Sequence, residues 1–552
     1  MSTWLRNERL IPPALLVILV FSLFHDVANH SFNSDDYLVV YHGLYRTPET
    51  LKEALAGFTE PTWGLYYRPL IKAFFELLAG LFGIWPGGYH MASLLFYAVL
   101  CLEVYLLALL LCGRVSAAVF SALIFMTASA HSEALFWVSS LNGVVENIFT
   151  LAALICFVQW RRTASGIYHL LSLILFVLAV FTKESAIVLP IVFAAYEVLI
   201  GNRPMSGQAF RQAVKSCWTF ALVAVLFALI RAMVMSQVDL PPPLASFGLR
   251  TLLAGMCYSL IMTLSPLDWA LSLHWFDKFT EKSGAFVLVS MALLLACIIG
   301  PLVAKRFRLA FLLAWILAGS APVLVLGLVP SERHVVFGSA GAAILLAIAI
   351  SKLGERLGKT GAASGTIAMV LAVMFSAVSF YFLQQRQAIW KKASETASYV
   401  VSQTQDAFPT SPPTTFFYLN VPDTLDGALV FRFENLEYAL KLAYRNDSIE
   451  VVRIVTLDRI SPDALKSAES AYFKIAAMGG NVFLPKESLD DGLTRRWERL
   501  AAYGILDRNT RYFSEWARYE TAPLFAYTGT GLVLMPRQHL KQILTESLYS
   551  LV

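Results

Sequence analysis

The sequence is poor in charged residues: only 15% of its 552 residues are Asp, Glu, Lys or Arg, whereas 57% are hydrophobic. Together with a mean hydropathy of +0.62, this excludes a large soluble enzyme and predicts a protein that crosses a membrane several times. The net charge of +5 is small for this length. It reflects basic residues in short loops, so binding to nucleic acid is not expected.

Cysteine is also scarce, and its spacing excludes a cysteine-ligated metal site. The six cysteines lie in apolar stretches without a Cys-X-X-Cys pair, which predicts small core residues. The tail beyond residue 385 has no cysteine and therefore needs no disulfide. We find no nucleotide-binding loop, catalytic-triad spacing or repeat in that tail. No small-residue cleavage site precedes His25, so the first apolar segment is predicted to be a span rather than a cleaved signal peptide.

Apolar runs long enough to cross about 30 Å of hydrocarbon recur as far as residue 384. We predict about eleven spans, at residues 10–24, 89–112, 115–131, 140–160, 166–182, 186–200, 216–236, 284–304, 309–329, 335–351 and 361–384. By the positive-inside rule, the basic loops place the N-terminus in the cytoplasm and the C-terminus outside. Segment 249–266 is apolar enough to span, but we predict an interfacial or re-entrant helix because an extra span would put Lys305, Arg306 and Arg308 outside.

The predicted fold class is an all-α membrane bundle, residues 1–384, followed by a small α/β domain, residues 385–552. The bundle includes a long first outer loop, 25–88, whose amphipathic pieces at 49–58 and 66–82 are typical of helices on a membrane surface. In the tail, short β-rich runs alternate with helical ones. The β-rich runs are Thr415–Leu419, Ala428–Phe431, Glu450–Val455 and Ala471–Ile475, and the helical runs are Leu436–Tyr444, Pro462–Ala471 and Ser488–Ala502.

Asp35 and Asp36 stand side by side just past the first span. Two adjacent carboxylates repel each other, so their presence at the outer mouth of an apolar bundle suggests a function. Such a pair could deprotonate an acceptor or hold a cation beside a charged lipid. The plainer alternative is a solvated loop whose acids cap the next helix.

Ionisable groups at the ends of spans are costly and therefore suggest function. Arg68, between Tyr67 and a proline, could offer a fork to a phosphate or snorkel to lipid head groups. His131 and Glu133 end the third span and could face a cavity. Glu146 lies inside the fourth span, where we expect a structural hydrogen bond to satisfy it.

Two further charged sets lie later in the bundle. Lys183 and Glu184 interrupt an apolar passage without the Gly, Asn or Pro of an ordinary turn; lysine suits a phosphate, and glutamate a sugar hydroxyl or a metal, although a mere turn is the alternative. Arg333 and His334 follow Pro330, where a helix N-terminus could bind an anion, or Arg333 could form only a local ion pair. Together the charged sets predict an outer-face site for an anionic lipid whose head group reacts.

These motifs resemble, in their order, those of the membrane glycosyltransferases called GT-C, and especially the protein O-mannosyltransferases with tetratricopeptide tails and their bacterial relatives. The resemblance covers residues 25–350, and the tail departs from it because it lacks the tetratricopeptide period. The matching motifs are Asp-Asp, Tyr-Arg-Pro-Leu, His-Ser-Glu-Ala-Leu-Phe-Trp, Thr-Lys-Glu-Ser-Ala-Ile-Val-Leu-Pro and Ser-Glu-Arg-His-Val-Val-Phe.

The resemblance implies a polyprenyl-phosphate-linked sugar as donor and transfer on the outer face to a glycan, a lipid or a protein. It implies a bacterial inner membrane protein with its C-terminal domain in the periplasm. The implied general base is Asp35 or Asp36, the implied phosphate ligands are Arg333, Lys183 and Arg68, and the implied sugar or acceptor contacts are His131, Glu133, Glu184, His334 and Tyr67. Catalysis could use a divalent metal or none. The alternatives are a transporter or lipid flippase and a non-catalytic assembly protein.

Overall fold

The computed structural model describes residues 3–48, 50–63, 66–201, 204–236, 238, 249–268, 286–325, 331–456, 459, 480–484, 510–512, 522–536 and 538–549. The chain divides into two compact units, which we call the helical unit and the sheet unit. The helical unit comprises Met1–Ala28, Pro48–Leu77 and Gly87–Gln387, and the sheet unit comprises Asn29–Thr47, Leu78–Pro86 and Ala388–Val552.

The membrane part of the chain is built from long apolar helices joined by short breaks. The α-helices before the sheet are Thr3–Phe24, Asp35–Tyr45, Leu51–Ala56, Pro69–Phe82, Pro86–Cys112, Val115–Met126, Ser132–Phe136, Leu141–Thr163, Gly166–Thr182, Leu189–Leu199, Gly207–Met235, Leu249–Leu264, Phe286–Val303, Phe307–Val325, Glu332–Leu357 and Gly361–Ala407. Among the described residues, 3₁₀ segments connect some of them at His25–Asn29, Ser129–His131, Val138–Ser140 and Glu184–Val188.

Within the described residues, seven helices are long and apolar enough to cross a membrane, or eight if one bent pair counts as a single span. The bent pair is Val115–Met126 with Ser129–Phe136, at an angle of 58°. The chain is thus a multi-pass membrane protein, and these criteria do not confirm the predicted count of eleven. Several of the additional predicted spans correspond to shorter apolar helices, such as Gly166–Thr182.

Close helix packing in the helical unit depends on glycine. A Cβ atom on Gly319 would lie 2.9 Å from the backbone nitrogen of Gly338, and one on Gly338 would lie 3.0 Å from the carbonyl oxygen of Ile316. Phe307–Val325 and Glu332–Leu357 therefore touch backbone to backbone, as small residues allow in membranes. This contact fixes the N-terminal end of Glu332–Leu357, which carries Arg333 and His334.

Within its described residues, the sheet unit contains eight short strands. They are β1 Thr415–Leu419, β2 Thr424–Leu425, β3 Ala428–Leu429, β4 Glu450–Ile454, β5 Gly480–Leu484, β6 Thr510–Tyr512, β7 Leu524–Tyr527 and β8 Leu532–Met535. The main sheet has the order β6-β5-β4-β1-β7-β8 and is parallel except for the β7–β8 pair, while β2 and β3 form a separate antiparallel pair. The described part of the unit also contains helices Asp35–Tyr45, Asn435–Tyr444 and Gln538–Tyr549 and the end of Gly361–Ala407.

The predicted elements of the tail agree with this unit wherever it is described. β1, β4 and the helix Asn435–Tyr444 fall on predicted runs, whereas the predicted runs at 462–475 and 488–502 lie outside the described residues. The predicted boundary at 384 does not end a helix, because Gly361–Ala407 continues through it. Arg386, which marked the boundary in the sequence, is 2% exposed and lies 3.8 Å from Glu332.

Candidate functional site

Arg68 and Glu184 form a bidentate ion pair in the helical unit. Arg68 Nε donates to Glu184 Oε2 at 2.8 Å, and Arg68 Nη2 donates to Oε1 at 2.6 Å. Burial would raise the pKa of Glu184, but the charge of Arg68 and its hydrogen bonds lower it to about 2. Glu184 is therefore ionised at neutral pH, and the pair is a fixed part of the structure.

A small loop orients Arg68. Thr62 and Tyr66 exchange backbone hydrogen bonds of 2.5 and 3.1 Å, and the Thr62 hydroxyl accepts from the Arg68 backbone N–H at 3.0 Å. Pro69 then begins the next helix, and a residue before proline is restricted to extended conformations. The Arg68 guanidinium carbon lies 4.2 Å from the centre of the Tyr66 ring. Arg68 is thus held on both sides before any ligand binds.

Lys183 is a buried cation with an unusual environment. It is 5% exposed, and its extended backbone separates Gly166–Thr182 from the 3₁₀ segment Glu184–Val188. In the described part of the chain, no carboxylate oxygen lies within 4.0 Å of its ammonium group. Burial and the charge of Arg68 lower the pKa of Lys183 to about 8, against the attraction of Glu146. Most of the ammonium stays charged at neutral pH, without a close counter-ion.

Gly143 makes room for the Lys183 ammonium. A Cβ atom at Gly143 would lie 3.3 Å from Lys183 Nζ and 3.8 Å from the carbonyl oxygen of Arg333. The helix Leu141–Thr163 therefore approaches Lys183 and the start of Glu332–Leu357 together at this point. Arg333 is also close enough for its charge to act on Lys183. We call Arg68, Lys183 and Arg333 the cationic cluster.

The helices Ser132–Phe136 and Glu332–Leu357 cap each other's N-terminal ends beside the cationic cluster. Glu133 Oε2 accepts from Ser331 Oγ and from the Arg333 backbone N–H, both at 3.1 Å. In return, Glu332 Oε2 accepts from Ser132 Oγ and, at 3.0 Å, from the Glu133 backbone N–H. Each glutamate thus satisfies free amides at the start of the other helix. This reciprocal capping fixes where helix Glu332–Leu357 begins and therefore where Arg333 lies.

The Arg333 side chain is less constrained than that of Arg68. Its Nη1 lies 3.6 Å from Glu133 Oε2, and its guanidinium carbon lies 5.1 Å from the Trp137 ring centre. It is 28% exposed, compared with 10% for Arg68. A guanidinium with a long ion pair and an open side can still bind another anion in a bidentate manner.

A narrow cavity opens beside these groups. It is partly continuous with solvent, and Arg333 and His334 contribute to its wall. The other lining residues are Glu146, Asn147, Ser185, Gly319, Pro322, Val323 and Phe337. His334 Nδ1 accepts from the Ser331 backbone N–H at 3.1 Å. Glu146 accepts the structural hydrogen bond expected from the sequence, from Thr150 Oγ1 at 3.3 Å. It also lines the cavity and interacts with Lys183.

His131 and Tyr67 lie in tightly packed surroundings. His131 is fully buried, with Nδ1 at 2.7 Å from Tyr97 Oη and Nε2 at 2.6 Å from Ser339 Oγ. Tyr67 is 1% exposed and donates through its hydroxyl to the Phe58 carbonyl at 2.9 Å. Both polar ends have protein partners, so these two residues contribute packing around the site in this structure.

The predicted acidic pair lies in the sheet unit and begins helix Asp35–Tyr45. We call Asn33–Asp36 the aspartate segment. The Ser34 backbone N–H donates to the Val430 carbonyl at 2.7 Å, and Asn33 Nδ2 donates to the Leu429 carbonyl at 2.7 Å. The segment is therefore fastened to the loop around β3. This attachment lies about 400 residues away in sequence, and no sequence pattern indicated it.

The two aspartates have different surroundings. Asp36 is fully buried, and its Oδ2 accepts from the Asn33 backbone N–H at 3.2 Å. Asp35 is half-buried, and its Oδ1 accepts from Asn435 Nδ2 at 2.7 Å. Asp36 thus holds the turn that precedes the helix and is not the solvated cap suggested as the plainer alternative, while Asp35 keeps a partly accessible carboxylate.

Among the described residues, metal ligands are not grouped at the cationic cluster or at the aspartate segment. Within the described residues, no three His, Cys, Asp or Glu side chains lie close enough together to hold a metal ion.

No protein-family model matches this chain, and no curated protein matches it. Solved structures to which this chain is similar include the following three. The oligosaccharyltransferase of Archaeoglobus fulgidus tethered with an acceptor peptide is 12% identical, covers 80% of this chain and 63% of its own, and has a TM-score of 0.46. This chain thus spans less than two thirds of that protein.

AglB from the same archaeon, in complex with an inhibitory peptide and a dolichol-phosphate, is 12% identical, with 87% of this chain and 69% of that chain covered and a TM-score of 0.47. ArnT from Cupriavidus metallidurans bound to undecaprenyl phosphate is 12% identical, with 94% and 93% covered and a TM-score of 0.49.

Proposed function

We propose that this chain is a GT-C-type membrane glycosyltransferase. It transfers a sugar from a polyprenyl-phosphate carrier to a glycan, lipid or protein acceptor. The reaction takes place at the periplasmic face of a bacterial inner membrane, with the N-terminus in the cytoplasm. The observation that carries the proposal is the Lys183 ammonium, which is buried and charged without a carboxylate within 4.0 Å among the described residues.

A buried charge without a counter-ion is costly, and a bound anion removes that cost. Lys183 has two guanidinium neighbours, but Arg68 is already engaged by Glu184 while Arg333 keeps an open side. The cluster therefore has spare positive charge for one anionic group. A phosphate on a lipid suits it because the surrounding helices are apolar enough to lie in a membrane.

The reaction uses this charge when the donor bond breaks. The acceptor hydroxyl oxygen forms a bond to the anomeric carbon, and the bond from that carbon to the phosphate oxygen breaks. The polyprenyl phosphate leaves with one more negative charge, which Lys183 and Arg333 stabilise. The hydroxyl proton goes to a carboxylate acting as general base.

Asp35 is the proposed base. Its carboxylate is half-buried and accepts hydrogen bonds from neutral donors, so it is available to take a proton. Asp36, which is fully buried and hydrogen-bonded to the Asn33 backbone, is proposed to shape the segment instead. The packed residues His131 and Tyr67 are proposed to support the pocket rather than to touch the sugar.

The proposal is tested by sugar transfer in membranes that contain wild type, Asp35→Asn or Asp36→Asn. The probes are undecaprenyl-phosphate sugars that carry a radiolabel in the sugar. We expect transfer by wild type and a loss of about 10²- to 10⁴-fold for Asp35→Asn, the range of general-base catalysis. Asp36→Asn should reduce the amount of folded protein more than its specific activity.

The same preparation separates the alternatives. If labelled lipid crosses the bilayer of a proteoliposome while no sugar is transferred, the chain is a transporter or flippase. If wild type neither transfers sugar nor moves lipid, the assembly role is favoured. Full activity of a well-folded Asp35→Asn protein would remove Asp35 from the mechanism.

A further inference from the structure

We infer that Asn435, in the C-terminal part of the sheet unit, is a positioning residue for the Asp35 carboxylate. The inference rests on the proposed function, in which Asp35 takes the acceptor proton. It assigns a definite task to the C-terminal domain: holding the general base. The residues that carry it all belong to the sheet unit.

The contact is direct and its direction is determined by chemistry. Asn435 Nδ2 donates to Asp35 Oδ1 at 2.7 Å and to Ser34 Oγ at 3.1 Å. A carboxylate oxygen accepts hydrogen bonds, so the NH₂ group of Asn435 must be the part that faces it. Asn435 is 1% exposed. The amide is therefore held in place by its surroundings rather than free to swing away.

The backbone before Asp35 is also held in an uncommon conformation. Ser34 has φ 49° and ψ −124°, a region that favours glycine. Hydrogen bonds at 2.7 Å from Ser34 N–H and from Asn33 Nδ2 to the Val430 and Leu429 carbonyls maintain it. Strain of this kind persists only where the surroundings impose it, and here the C-terminal domain imposes it directly before the proposed base.

The loop that receives these hydrogen bonds is fixed to the main sheet by Arg453 of β4. Arg453 is 3% exposed, and its guanidinium donates to the Phe431 carbonyl at 2.9 Å and the Val421 carbonyl at 2.8 Å. Phe431 in turn stacks on Tyr37, with ring centres 5.9 Å apart. A continuous set of contacts thus runs from the sheet to the residues around Asp35.

The neutrality of Asn435 suits a base. Among the described residues, no cation lies within 4.0 Å of Asp35, whereas Glu184 is paired with Arg68. An amide orients one carboxylate oxygen without adding a full positive charge that would oppose proton uptake. Oδ1 is used by the protein, and Oδ2 has no hydrogen-bond partner in the described part of the chain. The geometry leaves that oxygen for an acceptor hydroxyl.

The test compares Asn435→Ala and Asn435→Asp in the full-length, membrane-inserted chain. Asn435→Ala removes both donors and should lower kcat about 10- to 100-fold, the usual effect of losing a hydrogen bond to a charged group. The donor KM should stay within about twofold. Asn435→Asp keeps the shape but places a second carboxylate against Asp35, so it should be worse than Asn435→Ala. Asn481→Ala, which removes another amide of the sheet unit, is the matched control.

A purely structural role for Asn435 makes different predictions. If Asn435 positions Asp35, Asn435→Ala should cause no further loss of activity in the Asp35→Asn background, because no base is left to position. A structural role predicts the same fractional loss in both backgrounds. An equal fractional loss in both backgrounds, or an unchanged kcat in Asn435→Ala alone, would overturn the inference.

A second measurement does not depend on activity. A water-soluble carbodiimide with an amine labels accessible carboxylates, and mass spectrometry reports the rate at each residue. Labelling of Asp35 should become several-fold faster in Asn435→Ala, while the exposed Asp406 should react as in wild type. An unchanged rate at Asp35 would contradict the positioning role. If Asp35→Asn is fully active while labelling behaves as expected, the proposed base is wrong but the contact is real.

Discussion

One acid of the helical unit, Glu184, and one acid of the sheet unit, Asp35, are held in opposite ways. Glu184 lies in a two-point contact with the Arg68 guanidinium, whereas Asp35 is held at one oxygen by the neutral amide of Asn435. A full positive charge keeps a carboxylate ionised, while an amide orients it and leaves it able to accept a proton. The difference supports the proposal that Glu184 is a counter-ion and that Asp35 is the base.

The largest expected effect on stability comes from replacing the carboxylate by an amide at Glu184, and the comparison is the same replacement at Asp35. Glu184→Gln leaves the Arg68 charge buried without a partner, so we expect a loss of about 3–5 kcal/mol in the free energy of unfolding. Asp35→Asn removes no ion pair and should change stability by less than about 1 kcal/mol. Thermal unfolding of the purified proteins in detergent measures both.

An exposed ion pair provides the control for that comparison. Arg114 and Glu355 are 66% and 52% exposed, so Glu355→Gln should cost at most about 1 kcal/mol. Equal losses for Glu184→Gln and Asp35→Asn would show that the two acids are held alike and would remove the basis of the comparison.

The second expected effect is a gain in the free energy of unfolding rather than a loss. Lys183→Met replaces a buried ammonium, which has no carboxylate within 4.0 Å among the described residues, by an apolar side chain of similar length. We expect a gain of about 1–2 kcal/mol in stability, because burying an uncompensated charge is costly. A residue whose removal stabilises the fold is one retained for function. Destabilisation by Lys183→Met in the same unfolding experiment would mean that the lysine has a structural counter-ion.

A pH dependence sharpens the assignment of Lys183. Its pKa is lowered to about 8, so its charge is present below that pH and is lost as the pH rises through it. Affinity for undecaprenyl phosphate should therefore fall about tenfold between pH 7 and pH 9, although the phosphate itself is largely ionised throughout this range. Lys183→Arg, which stays charged, should flatten the profile. A pH-independent affinity in wild type would contradict the assignment.

The smallest effect concerns the space beside the ammonium. A Cβ at Gly143 would lie 3.3 Å from Lys183 Nζ, so Gly143→Ala should push the ammonium aside and weaken undecaprenyl phosphate binding about two- to fivefold. Stability should not fall, since alanine favours a helix over glycine by about 1 kcal/mol. Gly365→Ala is the control, because a Cβ at Gly365 would meet nothing within 4 Å. Equal affinities for the two variants would exclude close packing of Gly143 on the lysine.

The regular parts of the fold were predictable because they depend on local pattern. Thr415–Leu419 is a run of buried, β-favouring residues and forms β1 with those bounds. The helix through Gln384 was not predicted to continue. Its polar residues suggested a boundary, but they are good helix formers, and Arg386 is buried 3.8 Å from Glu332. Pairing across such a distance in sequence cannot be inferred from composition.

The candidate site was predicted in its residue types but not in its partnerships. The sequence indicated Arg68, Lys183 and Arg333 as cations for a phosphate, and the structure brings their charges together. It could not show that Glu133 caps the helix that begins with Glu332. Nor could it indicate Asn435, an ordinary asparagine at the start of a helix in the tail, whose role depends on a contact with Asp35 across 400 residues.

The most direct test of the account is the binding of undecaprenyl phosphate to purified wild type and Lys183→Met, measured by native mass spectrometry. The account predicts a bound lipid phosphate in wild type and an affinity at least tenfold lower in Lys183→Met, with the variant folded and no less stable. Equal binding by the two proteins would mean that Lys183 is not the phosphate ligand, and the proposed transferase site would be wrong.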